Sequence, residues 1–375
     1  MNPALQSPHA SCSCTGQRSG AMDVLRCFAL LCVVCTHFFL NSGFYDQIVE
    51  GRRMLFMVCL RSFFMICVPL FLMLSGYLMN RKKVSAAYYK KLIPLVGGYL
   101  LSCGACILYR FLFHRDDFSV YRSIRGIFNF YASEYGWYMK MYLGLFLLIP
   151  FLNSMYHSLD SRREKRVLLL SLILLTAAPS LLNIWRFNDR VWWSRPASSS
   201  DYDLLIPDWW KSFYPVSYYI AGCYLREFPL KLRRSTALLL SGGLFVLSGL
   251  FNFYRSYGSV FLWGPWADHG SAFVMAQSIL LFHLIAGMRQ PRKNSPLGKL
   301  SAYLSGLCMN AYLCSCIFDD AFYELLSRLE PRMHYRLYYF PLIVLAVYLC
   351  SLSLSAVLNG IYNMTARLFH KLSRK

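Results

Sequence analysis

The chain has 375 residues, of which 57% are hydrophobic, 17% aromatic and only 15% charged, a balance that excludes an ordinary soluble domain. Its net charge of +21 does not point to nucleic acid either. The basic residues sit in short clusters between long apolar runs, where they report membrane topology.

Residues 1–21 are small, polar and aperiodic, which predicts a disordered extension without the apolar core of a signal peptide. A first spanning helix follows over Met22–Asn41, MDVLRCFALLCVVCTHFFLN, since roughly 20 apolar residues cross a bilayer. Ser42–Arg61 reads as a mixed, amphipathic connection. The second span, Ser62–Asn80, holds a Ser75-Gly76 pair that would let another helix approach closely. Further spans are predicted over Leu92–Phe113, Trp137–Leu152, Val167–Trp185, the short tyrosine-rich Phe213–Leu225, Ala237–Tyr254, Ser271–Met288, Leu300–Leu325 and Tyr338–Tyr362. The expected fold is an all-α polytopic membrane protein of about ten helices, a membrane domain over residues 22–366 followed by a basic tail, 367–375.

Positive charge alternates along the connections. Basic clusters lie at Arg81–Lys91, Arg162–Arg166, Arg226–Arg234, Arg289–Lys299 and in the tail, while the connections between them are mixed or carry acids such as Asp189, Asp201, Asp203 and Asp208. The positive-inside rule then predicts a multi-pass protein of the cytoplasmic membrane with both termini in the cytoplasm.

Within the first helix, Arg26 and His37 are eleven residues apart, close to three full turns, and share one face about 16 Å apart along the axis. An ionisable residue inside a spanning helix is costly and marks function by default. Each also has a plainer role open to it: Arg26 as a helix-end anchor, His37 as a hydrogen-bonded interior residue. Most of the 14 cysteines lie in apolar runs without fixed spacing and read as small hydrophobes. Cys32 and Cys35 beside His37 read as packing residues, so no metal is expected.

Arg26 and His37, set in the opening M-D-x-L-R-x-x-A-L, resemble the first helix of the acyltransferase-3 family, membrane-embedded O-acyltransferases. The VPLF…SGYL run, Trp137-Tyr138…Gly144…Pro150 and Tyr219…Gly222 carry the resemblance further. Two places depart from the family's pattern. Before Pro94, where the family has an Arg-x-x-Arg pair, the chain reads Tyr88-Tyr89-Lys90-Lys91, and the ninth span has Cys314-Ser315 where a histidine usually stands. The resemblance implies transfer of an acyl group, acetyl first, from acyl-coenzyme A to a hydroxyl of an extracytoplasmic glycan or lipid-linked sugar. His37 would be base or acyl carrier, with Arg26 beside it in the catalytic pair. Arg26, Lys90 and Lys91 would meet the donor's phosphates, although the lysines serve topology equally well.

Glu134, Trp137, Asp319 and Asp320 are weaker candidates for the acceptor, Asp319 and Asp320 also for orienting His37. His283 reads as an interior histidine, and Trp185, Trp192, Trp193, Trp209 and Trp210 as an interfacial belt or a sugar platform. A transporter and a non-catalytic membrane sensor remain open as rivals. The lack of a convincing internal repeat and the scarcity of mid-membrane carboxylates speak against the first.

Overall fold

The computed structural model describes residues 20–115, 118–288 and 295–372. Of the predicted extension 1–21, residues 1–19 lie outside the described residues, as do the basic residues Arg289, Arg292 and Lys293 and Arg374 and Lys375 of the tail, whereas Gly20 and Ala21 already belong to the first helix. In chain order the helices are α1 (Gly20–Asn41), α2 (Gly51–Phe64), α3 (Cys67–Met79), α4 (Ala86–Tyr89), α5 (Leu92–Phe113), α6 (Val120–Asn129), α7 (Trp137–His157) and α8 (Arg162–Thr176). They continue with α9 (Pro179–Leu182), α10 (Arg190–Ser194), α11 (Tyr214–Glu227), α12 (Arg234–Ser256), α13 (Ala272–Ala286), α14 (Pro296–Leu329), α15 (Met333–Arg336) and α16 (Phe340–Leu372). Among the described residues there is no β-strand, only two isolated bridges between residues 48–49 and 257–260.

Eight helical segments among the described residues are long and apolar enough to cross a membrane. They account for all the predicted spans except the fifth and sixth, which form helices of 15 and 14 residues, α8 and α11. Helix α8 opens on a capping box between Ser161 and Glu164 and stops at Thr176, just before Pro179. The predicted connection Ser42–Arg61 is largely helical: α2 runs to Phe64 and turns through Met65 and Ile66 into α3. The reason for that break is Pro69, which has no N–H to offer the Met65 carbonyl four residues back. His269 takes the freed oxygen instead, its Nδ1 donating at 2.9 Å.

Two helices sit inside the bundle. Helix α1 packs against α3, α14, α16 and α13, and α11 is buried without interruption from Val216 to Leu225. Peripheral helices turn large side chains such as Leu100, Leu170, Leu239 and Leu345 outward, an apolar exterior suited to lipid. The Ser75-Gly76 expectation holds: α3 and α11 cross with their backbones touching. A Cβ on Gly76 would lie 1.9 Å from the Tyr219 carbonyl oxygen, and one on Gly222 2.0 Å from that of Met73.

Neither backbone can yield without separating the helices. Gly222→Ala is therefore expected to destabilise the protein by about 3 kcal/mol or more, read as a lower melting temperature in detergent. A melting temperature equal to the wild type's would contradict the close crossing.

Candidate active site

The site is built mainly on α1 and α14, which lie side by side. On α1, the His37 side chain is buried, and its Nδ1 lies 3.1 Å from Oδ2 of Asp319 on α14. A carboxylate accepts, so in the neutral ring Nδ1 carries the proton and Nε2 the lone pair. Tyr135, in the turn before α7, donates its hydroxyl to the same Asp319 oxygen at 2.7 Å and stacks on the imidazole with centroids 3.7 Å apart. Burial and then the Asp319 carboxylate push the Tyr135 phenol well above its ordinary range, so it stays protonated and a donor. Asn41 donates to both the Tyr135 hydroxyl and the His37 carbonyl.

The turn carrying Tyr135 is itself fastened to α14. Ser133 donates to the Leu313 carbonyl at 2.8 Å, and the Tyr312 hydroxyl donates to the Tyr135 carbonyl. His37 is thus held by a carboxylate, a stacked ring and a backbone contact.

At the opposite end of α1, Arg26 donates to Ser305 of α14 at 2.6 Å, and the Ser305 hydroxyl donates to Asp23 at 2.7 Å. Arg26 lines a cavity of about 410 Å³ with Phe71, Ser75, Tyr138 and Tyr142. His37 lines a second, of about 360 Å³, with Trp137, Tyr214, Asp268 and His269. Val33, Val68 and Tyr312 belong to both linings, so the two cavities adjoin inside the bundle. A third cavity of about 300 Å³ shares Tyr214, Trp263 and Asp268 with the second.

The structure brings together Arg26, His37, Trp137 and Asp319 of the residues singled out from sequence. It does not bring in the others. Lys90 and Lys91 are exposed and line none of these three cavities; Tyr88, at the departure from the family's basic pair, is packed on Phe146 and donates to its carbonyl. Asp320 turns away from His37 and accepts from Tyr109 and His114, while Glu134 pairs with Arg110 at 3.7 Å, and both line a separate cleft. Trp192 is buried against the Arg255 guanidinium together with Trp266, a packed aromatic knot. His283 lies 3.1 Å from the Leu232 carbonyl, as an interior histidine would.

Sequence reasoning missed Tyr135, Tyr312, Asp268 and His269. Tyr135 and the pair Asp268-His269 lie in turns, outside any hydrophobic period. The one signal for Tyr135 was its place beside Glu134. Among the described residues no three His, Cys, Asp or Glu side chains gather as a metal site would require.

No curated protein and no solved structure matches the chain. A family model does: the acyltransferase domain of the acyltransferase-3 family matches residues 19–355, nearly the whole length. The buried His37 on α1, Arg26 on the same helix, seven of the eight apolar spans and most of the eighth lie within that match, and the chain belongs to the acyltransferase-3 family of membrane proteins.

Proposed function

We propose that the protein transfers an acyl group, acetyl first, from cytosolic acyl-coenzyme A to a hydroxyl of a glycan or lipid-linked sugar across the membrane. The observation supporting this is the pair of adjoining cavities, which links Arg26 at one end of α1 to His37 near the other. By the positive-inside rule the Arg26 end would face the cytoplasm. There Arg26, with Lys90 and Lys91 at the surface, offers cations to the donor's phosphates. The thioester arm would run through the Arg26 cavity and present its carbonyl at His37.

Nε2 of His37 then takes the proton of the acceptor hydroxyl as its oxygen attacks the thioester carbonyl carbon. The carbon–sulfur bond breaks, and the imidazolium returns the proton to the leaving sulfur. Asp319 keeps the ring in the required tautomer and stabilises its charged form, and Tyr135 fixes Asp319 in turn.

The test uses sealed vesicles and labelled acetyl-coenzyme A. Inside-out vesicles should release coenzyme A from donor added outside, and right-side-out vesicles should not. Intact thioester with label passing into the lumen would replace the enzyme by a transporter. Arg26→Ala should weaken donor binding about tenfold, and binding to the wild type should fall with salt. Wild-type donor affinity in both Arg26→Ala and Lys91→Ala would return both residues to topology and packing.

A further inference from the structure

Beyond His37, the open space does not end. The His37 cavity continues past Tyr214, Trp263 and Asp268 into the cavity bounded by Asp208 and Lys211. Each is about the size at which ligand pockets begin, roughly 300 Å³. The walls of the two cavities carry groups of two kinds. Trp137 and Trp263 present partly exposed rings, 42% and 55% accessible. Asp268 lines both cavities and spends one carboxylate oxygen on the His269 amide at 2.7 Å. Aromatic faces with carboxylate, amide and hydroxyl groups at their edges match a sugar ring, which has apolar C–H faces and a rim of hydroxyls.

Trp263 is also braced from beneath. It stacks on Tyr45 with centroids 5.3 Å apart, and the Arg61 guanidinium lies 4.1 Å from its ring. Arg61 is fully buried and has no carboxylate partner among the described residues. It donates to the Tyr45 hydroxyl at 3.0 Å and to the Ala267 carbonyl at 2.6 Å, and its guanidinium also lies over Phe261. A buried charge without a counter-charge is costly. The four contacts named, to Tyr45, Phe261, Trp263 and Ala267, fall on the two segments that carry the Trp263 platform.

We infer that the groove holds a carbohydrate chain of at least two linked units: one ring on the Trp263 platform beside His37, the next beside Asp208 and Lys211. Arg61 is a positioning residue for that platform. The inference rests on the acyl-transfer reading, and the assay separates the two. Purified protein in nanodiscs is given labelled acetyl-coenzyme A and an equimolar library of mono-, di- and trisaccharides, and labelled products are resolved by size. Di- and trisaccharides should be labelled at least about tenfold faster than monosaccharides.

Lys211→Ala and Asp208→Asn, both in an exposed connection, should bring that ratio down towards one. Equal labelling across lengths, or a ratio that neither variant moves, would overturn the second sugar position. Thioester hydrolysis with no sugar labelled would overturn the carbohydrate groove while leaving acyl chemistry intact. An absence of thioester turnover altogether would overturn both readings.

Discussion

His37→Ala is expected to lower acyl transfer by on the order of 10²–10⁴ in rate, the range for loss of a general base, while the protein still folds and inserts. The expectation follows from the position of His37, ionisable, buried and lining the cavity that adjoins the Arg26 cavity. Truncation of a merely packed residue would act through stability instead. Turnover of labelled acetyl-coenzyme A is therefore compared with expression and melting temperature matched. Added imidazole should restore part of the lost rate, because the vacated space beside Asp319 can hold a free ring. Turnover in the variant within a few-fold of wild type would make His37 a structural histidine.

Asp319→Asn carries the second large effect. The carboxylate accepts from both His37 and Tyr135 through one oxygen, and its Oδ1 is buried without a partner among the described residues. An amide in its place can turn its N–H₂ towards Nδ1, which moves the ring proton to Nε2, where the lone pair is needed. Without the negative charge, the imidazolium formed during transfer is also less stable. Turnover should fall by about 10²–10⁴ with donor affinity retained. The measurement is kcat beside the donor dissociation constant. A variant with wild-type kcat would show that Asp319 only packs α14 against α1.

The two aspartates also mark where reading the chain stops. Asp319 and Asp320 are neighbours on one helix, and 100° of rotation sends them to different faces. One meets His37 and the other meets Tyr109 and His114. Nothing local distinguishes them, because the choice depends on how α14 is rotated against α1. Tyr135 was marked only by its neighbour Glu134 for a related reason: turns have no hydrophobic period, and its value comes from a stack on a residue nearly 100 positions earlier. His269 reaches the site through the Met65 carbonyl that Pro69 leaves unpaired between α2 and α3.

By itself the sequence determined that the chain crosses a membrane as helices, because every backbone group in lipid must be satisfied within its own segment. It also determined that Arg26 and His37 share a face, since helical geometry is local. The close crossing announced by Gly76 belongs here too, but its partner does not: that Tyr219 and Gly222 of α11 fill the gap was decided in three dimensions. So was the short form of α11, buried from Val216 to Leu225, and so was the joining of the cavities at Val33, Val68 and Tyr312. Local hydrogen bonding and periodicity set each helix, whereas helix rotation, register and the space between helices arise only when side chains distant in sequence are packed together.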